Sequence, residues 1–597
     1  DFNASFNGCH VYRHEDGSLI TKPIKKISRV LNANLVKLGI ITNIWDGYAP
    51  TPSTYGECGA LLVSDTAIGK TIVGIHVMGA DNRVVAIAID QTLFNNVLKK
   101  YPNFSIQSRE PALSAPSAKR VLGELHKKSP IRYIRDGVAD VYGSFVGFRG
   151  KPKSTVEITP MLEHLTHHGY KLTCGLPEMV SWEPWNIGLN DLVKPICTID
   201  NDILEHVKNA FLHDIVSDLT QDDFDMLQVY DDVTTLNGAP GVAYVDKINR
   251  NTSAGAPWRK GKKYFMKSIP GLGDLQDPVE LSQEVLDRVD DIINTYQHDE
   301  RYCPVFTAHL KDEALPFEKV KSKKTRIFTG APLDFTFVVR KYLLSSVRLI
   351  QNRRYLFESA PGTIAQSLEW TEMYQYITEF GEDRIVAGDY RKFDKTMPPN
   401  FIMAAFDILA HICKLSKNFT DEDMKVIHGI AVDTAYPVVD YNGDLIQFYG
   451  SNPSGHPLTV IINGLVNCLY MRYAYYELNP DREAISFKDN VALMTYGDDN
   501  ICSVNSNCPW FHHTSIALAF SKVNIGYTMA DKEAESVPYI NIREASFLKR
   551  TWVLNPEVNC YFAPLEHSSI EKMLTIWVRS KSISVEEQVI AVVTSAM

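Results

Sequence analysis

None of the ten cysteines, scattered from Cys9 to Cys560, forms a C-x-x-C pair or a zinc-finger spacing. Scattered thiols argue against a disulfide framework or a zinc module and fit a reducing, cytosolic setting. A long uninterrupted apolar run is also missing: the most apolar stretch, Leu458 to Leu478, carries Asn463, Asn467, Arg472 and Glu477. Those side chains would be costly in a bilayer, so the stretch is expected to be a buried helix and the chain to have no transmembrane segment. Positive charge is not in surplus, because 61 Lys plus Arg stand against 71 Asp plus Glu for a net −10. That balance argues against a uniformly basic nucleic-acid coat and leaves room for a local basic channel. No repeat and no signal-peptide pattern is evident. The chain opens with Asp1 and not with a start methionine, so the numbering is expected to begin inside a longer product.

What is present is ordinary globular composition: 597 residues, 45% hydrophobic and 22% charged. A chain of this length holds about three to five folding units, which excludes a single small binding module. Residues 1–107 show short β-rich runs, such as Thr71 to Val77 and Arg83 to Ile89, between Gly, Asp and Asn turn signals, and read as a small all-β unit. Residues 108–119 are rich in Pro, Ser and Ala without apolar periodicity and read as a linker. Residues 120–597 mix helices and short strands in one large α+β body, with amphipathic helices expected over Glu280–Tyr296 and Phe401–Ser416.

Within that body, Arg384 to Tyr390 is a short apolar strand pattern ending in Asp389, with Asp394 five residues on. Val491 to Tyr496 is another strand pattern, followed by the turn Gly497-Asp498-Asp499 and a returning strand from Ile501 to Val504. Two Mg²⁺ ions need oxygen ligands fixed a few ångströms apart, which acids at adjacent strand ends provide, and phosphoryl transfer is the chemistry such a pair serves. Taken alone, Gly-Asp-Asp is more often a plain hairpin turn. Between the two acidic strands, however, Ser454-Gly455-His456-Pro457-Leu458-Thr459 leads into the apolar helix. Thr459 and Asn463 share one face of that helix. A hydroxyl and an amide there can hydrogen-bond a ribose 2′-OH. Five cations and no acid lie from Lys319 to Arg326, a density suited to clamping a triphosphate. A second basic run, Arg259, Lys260, Lys262 and Lys263, follows Thr252-Ser253-Ala254-Gly255-Ala256-Pro257.

Over roughly residues 250–575 these motifs, in this order, resemble the RNA-dependent RNA polymerases of positive-strand picorna-like viruses. The run Tyr449-Gly-Ser-Asn-Pro-Ser-Gly-His-Pro457 is similar to that of the dicistroviruses of insects. The resemblance implies a right hand of fingers, palm and thumb that makes RNA from nucleoside triphosphates on an RNA template. Asp389 and Asp498 would coordinate two Mg²⁺ ions, with Mn²⁺ as a substitute, and Asp499 would assist. Asp394 and Asn463 would check the ribose, and Ser454 and Gly455 would form a mobile loop beside the template–product pair. Lys311, Lys319, Lys324 and Arg326 would hold the triphosphate, Thr252 and Ser253 would lie at template entry, and the basic run Arg259, Lys260, Lys262 and Lys263 that follows them would contact the RNA backbone. Ala530-Asp531-Lys532 resembles the motif whose lysine protonates the leaving pyrophosphate, and Phe547-Leu548-Lys549-Arg550 resembles the primer-grip turn. Other viral replication proteins would be partners, at membrane-associated replication complexes in the host cytoplasm. The chain's end, in the apolar pattern Ala591 to Met597, implies a truncated thumb.

Gly56-Glu57-Cys58-Gly59 and Gly74-Ile75-His76-Val77-Met78-Gly79 resemble the chymotrypsin-like cysteine proteases encoded just upstream of such polymerases. Cys58 would be the nucleophile and His76 would line a pocket selecting glutamine. The family's catalytic His and acid lie on an earlier barrel. His10 and His14 come too late to replace them, so residues 1–107 are expected to be the C-terminal part of the protease, a partial barrel without a competent triad. Gln107-Ser108 is expected to be a polyprotein cleavage site. Two other readings stay open: a reverse transcriptase, and a chain that is mainly a cysteine endopeptidase with an RNA-binding partner domain.

Overall fold

Short runs rich in β-branched residues and separated by Gly, Asn and Asp turns pair locally into meanders. In the computed structural model, residues 5–13, 19–35, 39–53, 57–66, 69–90, 92–93, 95–96, 122–134, 138–145, 152–193, 199–271, 273–531 and 534–597 are described. The linker at 108–119, the Gln107–Ser108 junction, His14 and Lys532 lie outside the described residues. The chain divides into two compact units, Asp1–Ala112 and Leu113–Met597.

The first unit has strands β1 (Phe6–Arg13), β2 (Leu19–Leu35), β3 (Gly39–Tyr48), β4 (Leu61–Thr66), β5 (Gly69–Ala80) and β6 (Arg83–Ala88). They join in the order β1-β2-β3-β6-β5-β4, and β1 pairs back onto β4, so the barrel expected as partial is closed. Its inner layer is Ile24, Ile27, Trp45, Leu62, Val73, Val84 and Ala86. Trp45 gives its indole N–H to the Val73 carbonyl at 2.8 Å, which lets so large a ring be buried without an orphaned donor. Gly74 lets two strands close over that ring, since a Cβ there would lie 2.7 Å from the Ile87 carbonyl oxygen and 3.0 Å from Trp45.

The second unit holds two main sheets. One runs in the order Ile327–Gly330, Val305–Leu310, Val438–Tyr441, Asp444–Phe448, Ala139–Phe145, Leu122–Gly123. The other is four-stranded and antiparallel: Val491–Tyr496, Asp499–Val504, Ile385–Tyr390, Tyr527–Met529. Long helices pack around them, chiefly Leu333–Asn352, Pro399–Ser416, Asp421–Ala435 and Thr459–Leu478. The amphipathic helix expected from Glu280 starts at Gln283, because Val279–Leu281 is a strand paired with Met266–Ser268.

Thr459–Leu478 is buried from Ile461 to Tyr475, as its lack of an amphipathic pattern predicts. Its arginine is accommodated by charge and rings: Arg472 donates to Glu358 at 2.7 and 2.9 Å and to Asp214 at 3.0 Å, between the faces of Phe211 and Phe487. Among the described residues no helix is long and apolar enough to cross a membrane. Early and late segments of the unit meet where Val156–Ile158 pairs with Ile576–Val578.

Candidate functional site

The strand Ile385–Tyr390 is central in its sheet, and its register places the acids. Gly388 pairs with Asn500 on one side, and Asp389 pairs with Thr528 on the other. Asp389 therefore lies one residue beyond the last rung shared with Asp499–Val504, beside the Gly497–Asp498 turn. Tyr496 pairs with Asp499, making a two-residue hairpin loop in which Gly497 has φ +64°, a conformation glycine adopts at little cost. Asp498 is exposed at the tip, and Asp389 and Asp499 are half-buried. Gly388 is required by close approach, since a Cβ would come 2.0 Å from the ring of Tyr527.

Behind the hairpin stands a polar brace not singled out from sequence for any role at this site. Asn467 donates to the carbonyls of Gly497 at 3.0 Å and Asp499 at 3.2 Å, and its own carbonyl accepts from Tyr390 at 3.1 Å. Asn500 accepts from the Tyr527 hydroxyl at 2.7 Å. The signal available in the sequence was an asparagine four residues after Asn463 inside an apolar helix, where an amide persists only if it is bonded.

The two residues expected to check the ribose are brought together. Asn463 gives its amide hydrogen to Asp394 at 2.5 Å and accepts one from Asn452 at 2.7 Å. Burial pushes the Asp394 carboxyl up to about 6, with the Asp498 charge adding to the rise, while the Asn463 bond, Lys395 and Arg326 oppose it. Thr459 lies on the expected face, but its hydroxyl donates to the carbonyls of Pro453 at 2.8 Å and His456 at 2.8 Å. Those carbonyls belong to the loop before the helix, and they leave the hydroxyl no proton for a sugar. Ser454 accepts from the Thr329 N–H at 3.2 Å, and Gly455 lies against Thr329 and Gly330, where a Cβ would come 2.4 Å from the Thr329 carbonyl oxygen.

The basic finger reaches the same place only in part. Arg326 makes two bonds of 2.5 Å to Glu313; that pairing, with the fields of Asp498 and Asp394, raises its pKa. Lys311, Lys319 and Lys324 are exposed. Asp312 faces away, accepting from Ser154 and Thr155 at 2.6 to 2.7 Å. The second basic run is a correction. Arg259 is bound to Asp440, and Lys262 is buried, with its pKa lowered by desolvation and by Arg340. Only Lys260 and Lys263 of that run, with Thr252 and Ser253, are exposed and able to meet RNA. At the turn expected to be the primer grip, Lys549 is exposed beside Glu566 at 3.6 Å, whereas Arg550 is turned inward to the Ala563 carbonyl.

Among the described residues no three His, Cys, Asp or Glu side chains are close enough to hold a metal by themselves. Mg²⁺ is commonly held by one or two carboxylates together with substrate phosphates and water, so an open pair of strand-end aspartates is a donor set that fits it.

In the barrel, Cys58 is exposed at a turn, its thiol 3.4 Å from the Val77 carbonyl oxygen, and the Gly59 N–H donates to the His76 carbonyl at 2.9 Å. The His76 ring is buried, 4.6 Å from that of His10, and burial lowers its pKa. Glu57, next to the cysteine, is buried in an ion pair with Lys22 at 3.1 Å.

Residues 164–596 match the family model for viral RNA-dependent RNA polymerase. The chain is 27% identical over 546 residues to the RNA1 polyprotein of Red clover mottle virus, covering 87% of this chain and 28% of that one. It is 28% identical over 436 residues to the Replicase polyprotein of Cricket paralysis virus (68% and 24%), and 26% identical over 632 residues to the Genome polyprotein of Deformed wing virus (98% and 20%). The chain thus spans about a quarter of the length of these relatives. Among solved structures, a Sicinivirus 3Dpol RNA-dependent RNA polymerase superposes with a TM-score of 0.62 at 17% identity, covering 76% of this chain and 88% of its own.

Proposed function

The chain belongs to the viral RNA-dependent RNA polymerase family, and from that premise we propose that it copies an RNA template into RNA from nucleoside triphosphates, as the replicase part of a viral polyprotein in the host cytoplasm. The carrying observation is one electrostatic cluster: Asp389 beside the Asp498 turn, Arg326 feeling both Asp498 and Asp394, and Asp394 bonded to Asn463. Asp389 and Asp498, with Asp499 assisting, would hold two Mg²⁺ ions, or Mn²⁺ in their place, and ions held there would supply neutralisation of phosphate charge and acidification of the primer 3′-hydroxyl. Arg326, Lys311, Lys319 and Lys324 bind the triphosphate and stabilise the charge that develops on the leaving pyrophosphate. Lys532 protonates that pyrophosphate. Asp394, fixed by Asn463, receives the ribose 2′-OH, and Asn463 acts by orienting that carboxylate. Lys260 and Lys263, with Thr252 and Ser253, contact the template backbone, and Ser454 and Gly455 flank the nascent pair. Fingers, palm and thumb are the parts of this reading, and other viral replication proteins its partners.

We also infer that the barrel is the C-terminal part of a chymotrypsin-like cysteine protease, a reading supported by Cys58 exposed on a turn tied to the strand that carries His76. Cys58 would attack, the His76 side would select glutamine, and Gln107 would be the residue before the cut.

Primer extension on a defined RNA template tests the polymerase reading. Asp498→Ala is expected to lower the rate of Mg²⁺-dependent addition by about a thousandfold or more, since a ligand worth several kcal/mol is lost. Asp499→Ala should cost less, and Cys58→Ala nothing. Near-normal elongation by Asp498→Ala would sink the assignment.

A further inference from the structure

The turn that carries Asp394 is gripped from a part of the chain some two hundred residues earlier. The helix Glu183–Leu192 is wedged against two strands of the six-stranded sheet. Gly188 touches Ile327 and Tyr441 so closely that a Cβ would lie 2.4 Å from the Ile327 Cδ1, and the Tyr441 hydroxyl donates to the Trp185 carbonyl at 2.7 Å. Ile327 directly follows Arg326, so this helix is fixed to the strand that presents the triphosphate-binding guanidinium.

One turn further along, Asp191 is 7% exposed. Its Oδ1 accepts from the Lys392 ammonium, and its Oδ2 lies 3.8 Å from that of Lys395. These two lysines bracket Asp394. Lys392 stands at φ +59°, a left-handed conformation that strains a residue with a side chain, and its carbonyl accepts from the N–H groups of Lys395 at 3.0 Å and Thr396 at 3.1 Å. The same turn is held on its other side by Asn452, whose N–H donates to the Asp394 carbonyl at 2.9 Å. A strained turn persists only where its surroundings over-determine it. The bonds to the Lys392 carbonyl close the turn, and the Asp191 carboxylate, shared by both ammonium groups, offsets the repulsion between them.

We propose that Asp191 is a positioning residue for sugar selection: by clamping Lys392 and Lys395 it sets the turn that aims the Asp394 carboxylate at the ribose 2′-OH. This rests on the ribose role proposed above for Asp394 and Asn463. Asp191 touches neither sugar nor phosphate; it acts through the turn, and it couples that turn to the strand of Arg326 through one rigid helix. Loss of the clamp lets the carboxylate wander, which weakens a bond made only to ribonucleotides and leaves the fit of deoxynucleotides unchanged.

The test is steady-state incorporation of ATP against 2′-deoxy-ATP on a uridine template with an RNA primer, with primer–template affinity measured in parallel. Asp191→Asn is expected to lower the ribose preference by roughly threefold to tenfold through a higher KM for ATP, with kcat/KM for 2′-deoxy-ATP and RNA affinity unchanged. Lys392→Met, a change at a side chain 40% exposed and so tolerant of substitution, should reproduce the effect. The double variant should show no further loss, because both changes release the same clamp. Asp191→Glu should retain much of the preference. An unchanged ratio in Lys392→Met, or equal loss for both nucleotides in Asp191→Asn, overturns the clamp. Asn463→Ala run beside them separates the two claims: a fall there with none at Asp191 or Lys392 removes the clamp alone, while no fall at Asn463 removes the ribose reading and the clamp with it.

Discussion

The barrel and the larger unit each bury a histidine, and the two are treated differently by their surroundings. His456, in the loop before the long buried helix, accepts from the Leu458 N–H at 3.1 Å through Nδ1 and meets the Thr434 hydroxyl at 3.1 Å through Nε2. The Thr434 proton goes to the Ile430 carbonyl at 2.7 Å, so His456 is the Nε2–H tautomer with both nitrogens used. His10 in the barrel is fully buried against His76, and neither of its ring nitrogens has a hydrogen-bond partner among the described residues. Burial lowers both pKa values, to about 3 for His456 and about 4 for His10, where His76 adds to the fall. Desolvation thus sets the cost of protonation in both regions, whereas hydrogen bonding decides what removal of the ring would do.

The sharpest way to break that comparison is to orphan a buried charge in the larger unit. Arg472→Met leaves Glu358 and Asp214 buried without their cation, and it is expected to destabilise that unit by about 3–5 kcal/mol in chemical unfolding. Hydrogen exchange in barrel peptides should not change. A cost below about 1 kcal/mol would mean that the three-residue cluster is neutralised by protonation instead.

Next in size is acid. A histidine whose folded pKa lies below its unfolded value of 6.5 contributes stability that is present above pH 6.5 and is lost as pH falls towards its folded pKa. For His10 the window is pH 6.5 to about 4, and barrel amides should lose about 3 kcal/mol of protection across it. Protection that stays flat over this window would show that His10 is already charged or exposed.

Smaller still is His456→Leu, which strands the Leu458 N–H, takes one donor from the Thr434 oxygen, and should cost about 1–3 kcal/mol at pH 7. His10→Leu should be the mildest change. It strands nothing, so stability at pH 7 should move by less than about 1 kcal/mol, while the acid loss of the barrel shrinks to the part that the buried His76 contributes. A large penalty at pH 7 would point to a partner for His10 and erase the contrast between the two regions.

The same division between what lies along the chain and what faces it in space runs through the candidate site. Local pattern was enough for the strand that carries Asp389, the Gly497–Asp498 hairpin, the buried helix from Thr459 and the shared face of Thr459 and Asn463, because turns and helix faces depend on residues a few positions apart. What each polar group does once placed was not legible. Thr459 spends its proton on carbonyls of the loop before its helix, Arg259 is neutralised by Asp440 at a separation of 181 residues, and Asp191 reaches Lys392 across 201. Such partners are chosen by how sheets and helices stack, and a buried charge must be paired by whatever the packing brings within reach. The amino-acid sequence alone therefore determined the order of the chemical motifs and their local geometry. Only the tertiary structure decided which cations remain available for a triphosphate or an RNA backbone, and which are already committed to holding the site in shape.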